Sequence, residues 1–187
     1  MSVSYSTSSK QQILTHLHLL EMKQRGEKIT CLTAYDASFS ALMDTVGIEA
    51  ILVGDSLGMV VQLGGAQLVK FEGARIDIVE FLVKQGIAVC GHLGLLPQFI
   101  HQIGGYKVQG KLLDSAEKLI HDALDLQKAG VSLLILECVP ATLAQEISQQ
   151  LHIPVIGIGA GVGCDGQILV VYDMLGMSTG KRPRFSK

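Results

Sequence analysis

Polar side chains follow directly on apolar runs at five places in this chain. Asp36 comes after CLTAY, Asp55 and Ser56 after ILVG, Lys70 and Glu72 lie in LVKFEG, His92 follows AVCG, and Glu137 follows LLIL. A carboxylate placed after four apolar residues loses part of its hydration and needs a cation, a metal or a bound ligand as its partner. One such residue is commonly a satisfied structural acid. Several at equivalent places mark a functional site.

Each residue type suggests a chemistry and has a plainer alternative. Asp55, in VGDSLGM, and Glu72, in VKFEG, are hard oxygen donors suited to Mg²⁺, while Asp55 is also placed to cap a following helix. Lys70 and Glu72 share one side of a strand. Lys70 is therefore either the neutralising partner of Glu72 or a point charge for a substrate carboxylate. His92, in CGHLGL, is suited to hydrogen bonding with a ligand or to proton transfer, or else to a structural bond inside the wall. The other five histidines have no comparable placement. Glu137 ends the most apolar run in the chain, where a carboxylate is a stronger base than in water; its alternative is a capping role before Pro140. The turn VIGIGAG (155–161) has the glycines either of an anion-binding helix start or of a tight βα connection. IGGYKVQG (103–110) reads as a loop over the site.

The elements that must hold these residues alternate. Strands are expected at 29–36, 49–56, 67–73, 87–94, 131–139, 154–161 and 167–173, nearly continuous in apolar character, as strands buried on both faces are. Between them ASFSALMDTVG, ARIDIVEFLVKQG, LLDSAEKLIHDALDLQKAG and ATLAQEISQQ show helical spacing, and the first three end at glycine. A further helix is expected from about Lys10 to Arg25. The pattern predicts a parallel α/β barrel, with the polar residues on the C-terminal rim where such barrels place their active sites. Seven strands are one short of eight. Between Ser56 and Gln67 only ten residues remain, too few for a normal parallel crossover. One βα region is therefore expected to be missing between Gln62 and Leu63, either deleted from the chain or, as we expect, left out of the sequence as written.

With 187 residues, 48% hydrophobic and 17% charged, the chain fits one α/β-barrel domain, with residues 1–9 a frayed tail. A net charge of -2 with scattered Lys and Arg offers no basic field for nucleic acid or anionic lipid. Mean hydropathy is high at +0.39, yet every apolar run is far shorter than the roughly 20 residues of a membrane span. The Ser-rich N-terminus has neither a signal-peptide nor a transit-peptide pattern. Cys31, Cys90, Cys138 and Cys164 form no CxxC pair and read as reduced thiols of a cytoplasmic protein.

The runs TAYD, LVGDSLGM, VKFEG, VCGHLGLLPQ, GGYKVQG, LLILECVP, IPVIGIGAG and CDGQILVVYD together resemble the ketopantoate (3-methyl-2-oxobutanoate) hydroxymethyltransferase family, in that family's order. The resemblance implies a (β/α)8 TIM barrel that passes a hydroxymethyl group from methylene-tetrahydrofolate to 3-methyl-2-oxobutanoate. The product is ketopantoate, on the pathway to pantothenate and coenzyme A. It further implies Mg²⁺ held by Asp55 and Glu72, substrate contacts from Asp55, Ser56, Lys70 and His92, and Glu137 as the catalytic base. A large cytoplasmic homo-oligomer is expected, with no nucleic-acid or membrane partner. Two departures stand out. The family carries a further strand with a second metal-binding aspartate between the positions of Gln62 and Leu63, and it continues into C-terminal helices after RPRFSK. Two other readings are a related Mg²⁺-dependent enzyme of the phosphoenolpyruvate mutase type, against which GGYKVQG and GHLGL argue, and a catalytically silent assembly subunit.

Overall fold

The computed structural model of the protein describes residues 14–53, 67–99, 105, 107–178 and 185. The elements run α1 (His16–Arg25), β1 (Ile29–Ala34), α2 (Ala37–Thr45), β2 (Ala50–Val53), β3 (Val69–Glu72), α3 (Ile76–Lys84) and β4 (Val89–Gly94). After a 3₁₀ turn at Pro97–Phe99 come α4 (Leu113–Lys128), β5 (Leu133–Glu137), α5 (Ala141–Gln150), β6 (Val155–Ile158), β7 (Gly166–Leu169) and the short α6 (Val171–Met174). All strand pairs are parallel, and the sheet order is β2-β1-β7-β6-β5-β4-β3. That is the cyclic order of a barrel opened between β2 and β3, which are the two edges among the described residues.

Period-2 alternation divides the side chains between two cores. Toward the helices, Val89, Leu93, Leu134, Leu136 and Val155 pack with Val79, Ala123, Leu126 and Ile147. On the other face Cys31, Cys90, Leu133, Ile135, Ile156 and Ile168 form an inner core. Leu52 of β2 and Leu68, just before β3, pack against that same inner core, so both edges share it and the sheet is curled. Helix α1 covers the N-terminal ends of the strands: Leu19 joins the inner core, and Lys23 pairs with Asp165 at 2.7 Å.

Helices α2, α3 and α4 are followed by glycines in the left-handed region, Gly47, Gly86 and Gly130, as expected from their sequences. One expectation is corrected. The run 167–173 is not a single strand: pairing with β1 stops at Leu32↔Leu169, and α6 begins at Val171. There Val171 N–H donates to Thr33 Oγ1 at 3.2 Å, and the Tyr172 ring stacks on Tyr35 with centroids 5.2 Å apart. Packing against β1 and α2 overrides an apolar run whose periodicity suits either state. The tail at 1–9, the first part of the expected N-terminal helix and the junction Gln62–Leu63 lie outside the described residues.

Candidate active site

Strand register brings three of the expected side chains together at the C-terminal end of the sheet. Glu72 on β3 partners His92 on β4, His92 partners Ile135 on β5, and Glu137 lies two residues beyond Ile135 on the same face. Lys70 precedes Glu72 by two residues and shares its side. Because Cys90 and Ile135 belong to the inner core, the whole group faces the inside of the curl.

The four side chains form one contact chain. Lys70 Nζ donates to Glu72 Oε1 at 2.9 Å and approaches His92 Nδ1 at 3.4 Å. His92 Nδ1 lies 3.7 Å from Glu72 Oε1, and its Nε2 lies 3.3 Å from Glu137 Oε2. Side-chain exposure is 13% for Lys70, 6% for Glu72, 4% for His92 and 13% for Glu137, so the cluster is almost dry. When the ring is neutral, Lys70 donates to Nδ1 and the ring proton sits on Nε2, facing Glu137. That contact is close enough for attraction but is not aligned as a hydrogen bond. Two buried polar atoms, Glu72 Oε2 and His92 Nε2, therefore have no partner. Orphaned buried atoms are costly, and a cluster that tolerates two of them is poised for a ligand.

The protonation pattern follows from these contacts. The close approach of His92 is the main cause that holds the Glu72 carboxyl down at about 2, with burial opposing it and Lys70 adding to it. Burial disfavours the charged form of His92, but Glu137 and Glu72 together outweigh it, and the ring is raised above its ordinary value despite the Lys70 charge. The neighbouring Cys90 thiol is pushed up to about 12 by burial. The cluster thus offers a cation, a fixed carboxylate, a histidine that charges readily and a second carboxylate, linked in a row through His92.

Other expected positions fall elsewhere. Asp36 is exposed and caps α2, accepting from Phe39 N–H at 2.9 Å, so it is not brought to the cluster. The glycines of the 155–161 turn are accounted for by tight packing. A Cβ on Gly161 would lie 2.4 Å from Ala141 Cβ, and one on Gly159 would strike the Phe185 ring. Asp55 and Ser56 lie outside the described residues, as do Ile103, Gly104 and Tyr106 of the expected loop. All four cysteines are free thiols, as expected. Two features at the end of β5 had no side-chain signal in the sequence. Cys138 has φ +50°, and Gly94 is packed so closely that a Cβ there would lie 2.2 Å from the Glu137 carbonyl oxygen.

Mg²⁺ commonly takes one or two protein carboxylates and fills its shell with water and substrate oxygens. Among the described residues no three His, Cys, Asp or Glu side chains gather as a metal cage. The free Oε2 of Glu72 nonetheless fits an ion held in that sparing way, with Asp55 the other expected ligand.

A parallel, curled α/β sheet with an acid–base cluster at its C-terminal strand ends defines an enzyme of the α/β-barrel class. At the level of fold, the chain is similar to the YdjI aldolase from Escherichia coli K12, with a TM-score of 0.50 and 12% identity over 86% of this chain and 83% of that one. The sequence profile of ketopantoate hydroxymethyltransferase matches residues 13–64 and 60–187. The 3-methyl-2-oxobutanoate hydroxymethyltransferase of Nitrosococcus oceani is 47% identical over 229 aligned residues, covering 93% of this chain and 87% of the relative. That of Methylobacillus flagellatus is 45% identical over 224, covering 90% and 86%. The chain belongs to the ketopantoate hydroxymethyltransferase family.

These alignments are longer than the 187 residues of the chain, so the relatives carry internal residues for which it has no counterpart. The profile match breaks at 60–64, in the connection between β2 and β3.

Proposed function

We propose that the site transfers a hydroxymethyl group from methylene-tetrahydrofolate to 3-methyl-2-oxobutanoate, giving ketopantoate, by way of the enolate of the keto acid. The observation that carries this reading is the dry Lys70–Glu72–His92–Glu137 cluster with its two unpartnered polar atoms. Lys70 supplies the charge that binds the keto-acid carboxylate, exchanging part of its contact with Glu72 for the substrate. Glu137 removes the proton next to the carbonyl, from a position at the strand end where it is shielded from water and faces His92. His92, with Nε2 directed at Glu137, holds the base in place and donates to a substrate oxygen when the pocket fills. Glu72, with Asp55, would hold Mg²⁺, with Ser56 beside it on the substrate. When bound, the ion would polarise the keto-acid carbonyl as a Lewis acid. A large homo-oligomer in the cytoplasm belongs to the same proposal.

A full eight-stranded barrel would require one more βα unit between β2 and β3. The sheet order, the broken profile match and the excess length of the alignments support the view that this unit is missing here. Those same observations favour a second reading, a chain that folds but does not turn over. Two measurements separate the two. With Mg²⁺ present and folate absent, the active protein exchanges the proton next to the carbonyl of 3-methyl-2-oxobutanoate for solvent deuterium. A mass above 20.0 kDa for the protein from its native source identifies residues missing from the sequence. No exchange together with a mass of 20.0 kDa establishes the silent reading.

A further inference from the structure

We infer that Cys138 is a positioning residue for Glu137: its left-handed backbone turn, latched by the main chain of Gln109, fixes the direction in which the Glu137 carboxylate points. The inference rests on the reading of Glu137 as the base. The left-handed region is uncommon for a residue with a Cβ, and it persists only where the surroundings over-determine it. Cys138 has φ +50° and is the one described non-glycine residue with positive φ.

The surroundings here consist of backbone on three sides. From the β4 end, Leu95 N–H donates to Glu137 O at 2.8 Å. From the β6 end, Ile158 O accepts from Cys138 N–H at 2.9 Å. From the loop before α4, Gln109 N–H donates to Cys138 O at 2.8 Å. Gly94 permits the close approach, since a Cβ there would lie 2.2 Å from Glu137 O and 2.8 Å from Val139 Cγ2. The peptide groups on both sides of the Glu137–Cys138 junction are thereby fixed, and with them the Cα–Cβ vector of Glu137 that sets its carboxylate 3.3 Å from His92. Sulfur chemistry does not explain the residue. Burial, with Glu137 beside it, pushes the Cys138 thiol up, away from the thiolate that nucleophilic or redox roles require.

Two substitutions at this position test the turn. Valine is β-branched and strained at positive φ, so Cys138→Val should force the junction out of its turn, whereas Cys138→Gly adopts the same φ freely. Deuterium incorporation into 3-methyl-2-oxobutanoate with Mg²⁺ present gives kcat and KM for proton removal. Amide hydrogen exchange at Gln109 reads the latch without reference to activity. In Cys138→Val, kcat should fall roughly 10- to 100-fold, the size of effect a displaced catalytic group produces, with KM unchanged and the Gln109 amide unprotected. Cys138→Gly should restore most of the rate and the protection. A merely structural role would lower the melting temperature and leave kcat per folded molecule as it was. Wild-type kcat in Cys138→Val alongside an inactive Glu137→Gln overturns the positioning role alone. Normal exchange in Glu137→Gln, or none in the wild-type chain, overturns the base reading and the positioning role with it. A Gln109 amide that exchanges freely in the wild-type chain overturns the latch.

Discussion

The two ends of the sheet each carry a nearly buried acid–base cluster, and they differ in how completely their atoms are used. At the N-terminal end Asp165 Oδ2 accepts from Lys23 Nζ at 2.7 Å, Ser148 Oγ at 3.0 Å and Val155 N–H at 2.8 Å, while Lys23 also donates to the Ser148 carbonyl. That cluster ties α1, α5 and the segments flanking β6 and β7 into one joint. At the C-terminal end Lys70, Glu72, His92 and Glu137 are at least as well shielded, yet Glu72 Oε2 and His92 Nε2 have no partner. A saturated cluster has no capacity left for a ligand and serves the fold. An unsaturated one gives up stability to keep atoms available, which matches the division of such barrels into a stability face and a catalytic face.

The sharpest test of that contrast is a matched pair of substitutions, one at each end. Glu137→Gln keeps the size of the side chain but cannot accept a proton, so deuterium incorporation into 3-methyl-2-oxobutanoate should drop roughly 100- to 10,000-fold while the melting temperature stays within a few degrees. Asp165→Ala should do the reverse. It leaves the Lys23 charge with only the Ser148 carbonyl and the Val155 N–H without its side-chain acceptor, at about 3 kcal/mol, the low end for a broken buried pair because both side chains keep some exposure. Urea denaturation should read that loss, with kcat per folded molecule unchanged. A catalytic defect in Asp165→Ala, or a folding defect in Glu137→Gln as large, would remove the distinction between the ends.

A smaller effect separates the two lysines. Lys70→Met should raise KM for the keto acid roughly 10-fold or more, as expected for loss of a charged hydrogen bond to a substrate carboxylate. Lys23→Met should leave KM alone and lower stability. Equal KM values in the two variants would mean that Lys70 only neutralises Glu72, the plainer alternative that its strand spacing allows.

The cluster at the C-terminal end of the sheet was largely legible in the sequence and the one at the N-terminal end was not, for a physical reason. Each strand-end residue of the site follows an apolar run on its own strand, so local pattern alone put Lys70, Glu72, His92 and Glu137 on one rim, and the register of β3, β4 and β5 brings them together. Asp36 satisfied the same pattern and proved to be a helix cap, because a residue two steps past the strand end can turn back to its own backbone instead of inward. Asp165 follows a cysteine in a glycine-rich stretch and meets Lys23 across 142 positions, a pairing without local signature. The Cys138 turn is also set by neighbouring strand ends and not by residue type. The strand at 167–173 was overextended because its second half packs on Tyr35 and Thr33, contacts that no single segment announces.

The least conspicuous difference between the ends should appear in stability against pH. Glu72 is held at about 2, below the ordinary 4.5, so the folded state gains from its charge above the ordinary value and loses that gain as pH falls toward 2. His92 is shifted the other way, its charged form favoured by Glu137 and Glu72 over the opposition of burial. Its contribution is complete below its ordinary value near 6.5 and disappears as pH rises through the raised value in the folded protein. The melting temperature should therefore decline on both sides of a mildly acidic plateau. Glu72→Gln should flatten the acid limb and His92→Gln the alkaline one. The alkaline scan belongs below about pH 9, because the thiols of Cys90 and Cys164, pushed up to about 12 and about 11, add their own loss of stability above it. An alkaline limb that survives unchanged in His92→Gln would show that the ring is neutral in the folded protein, leaving its Nε2 proton for Glu137 or a substrate oxygen and removing the ionic part of the contact between them.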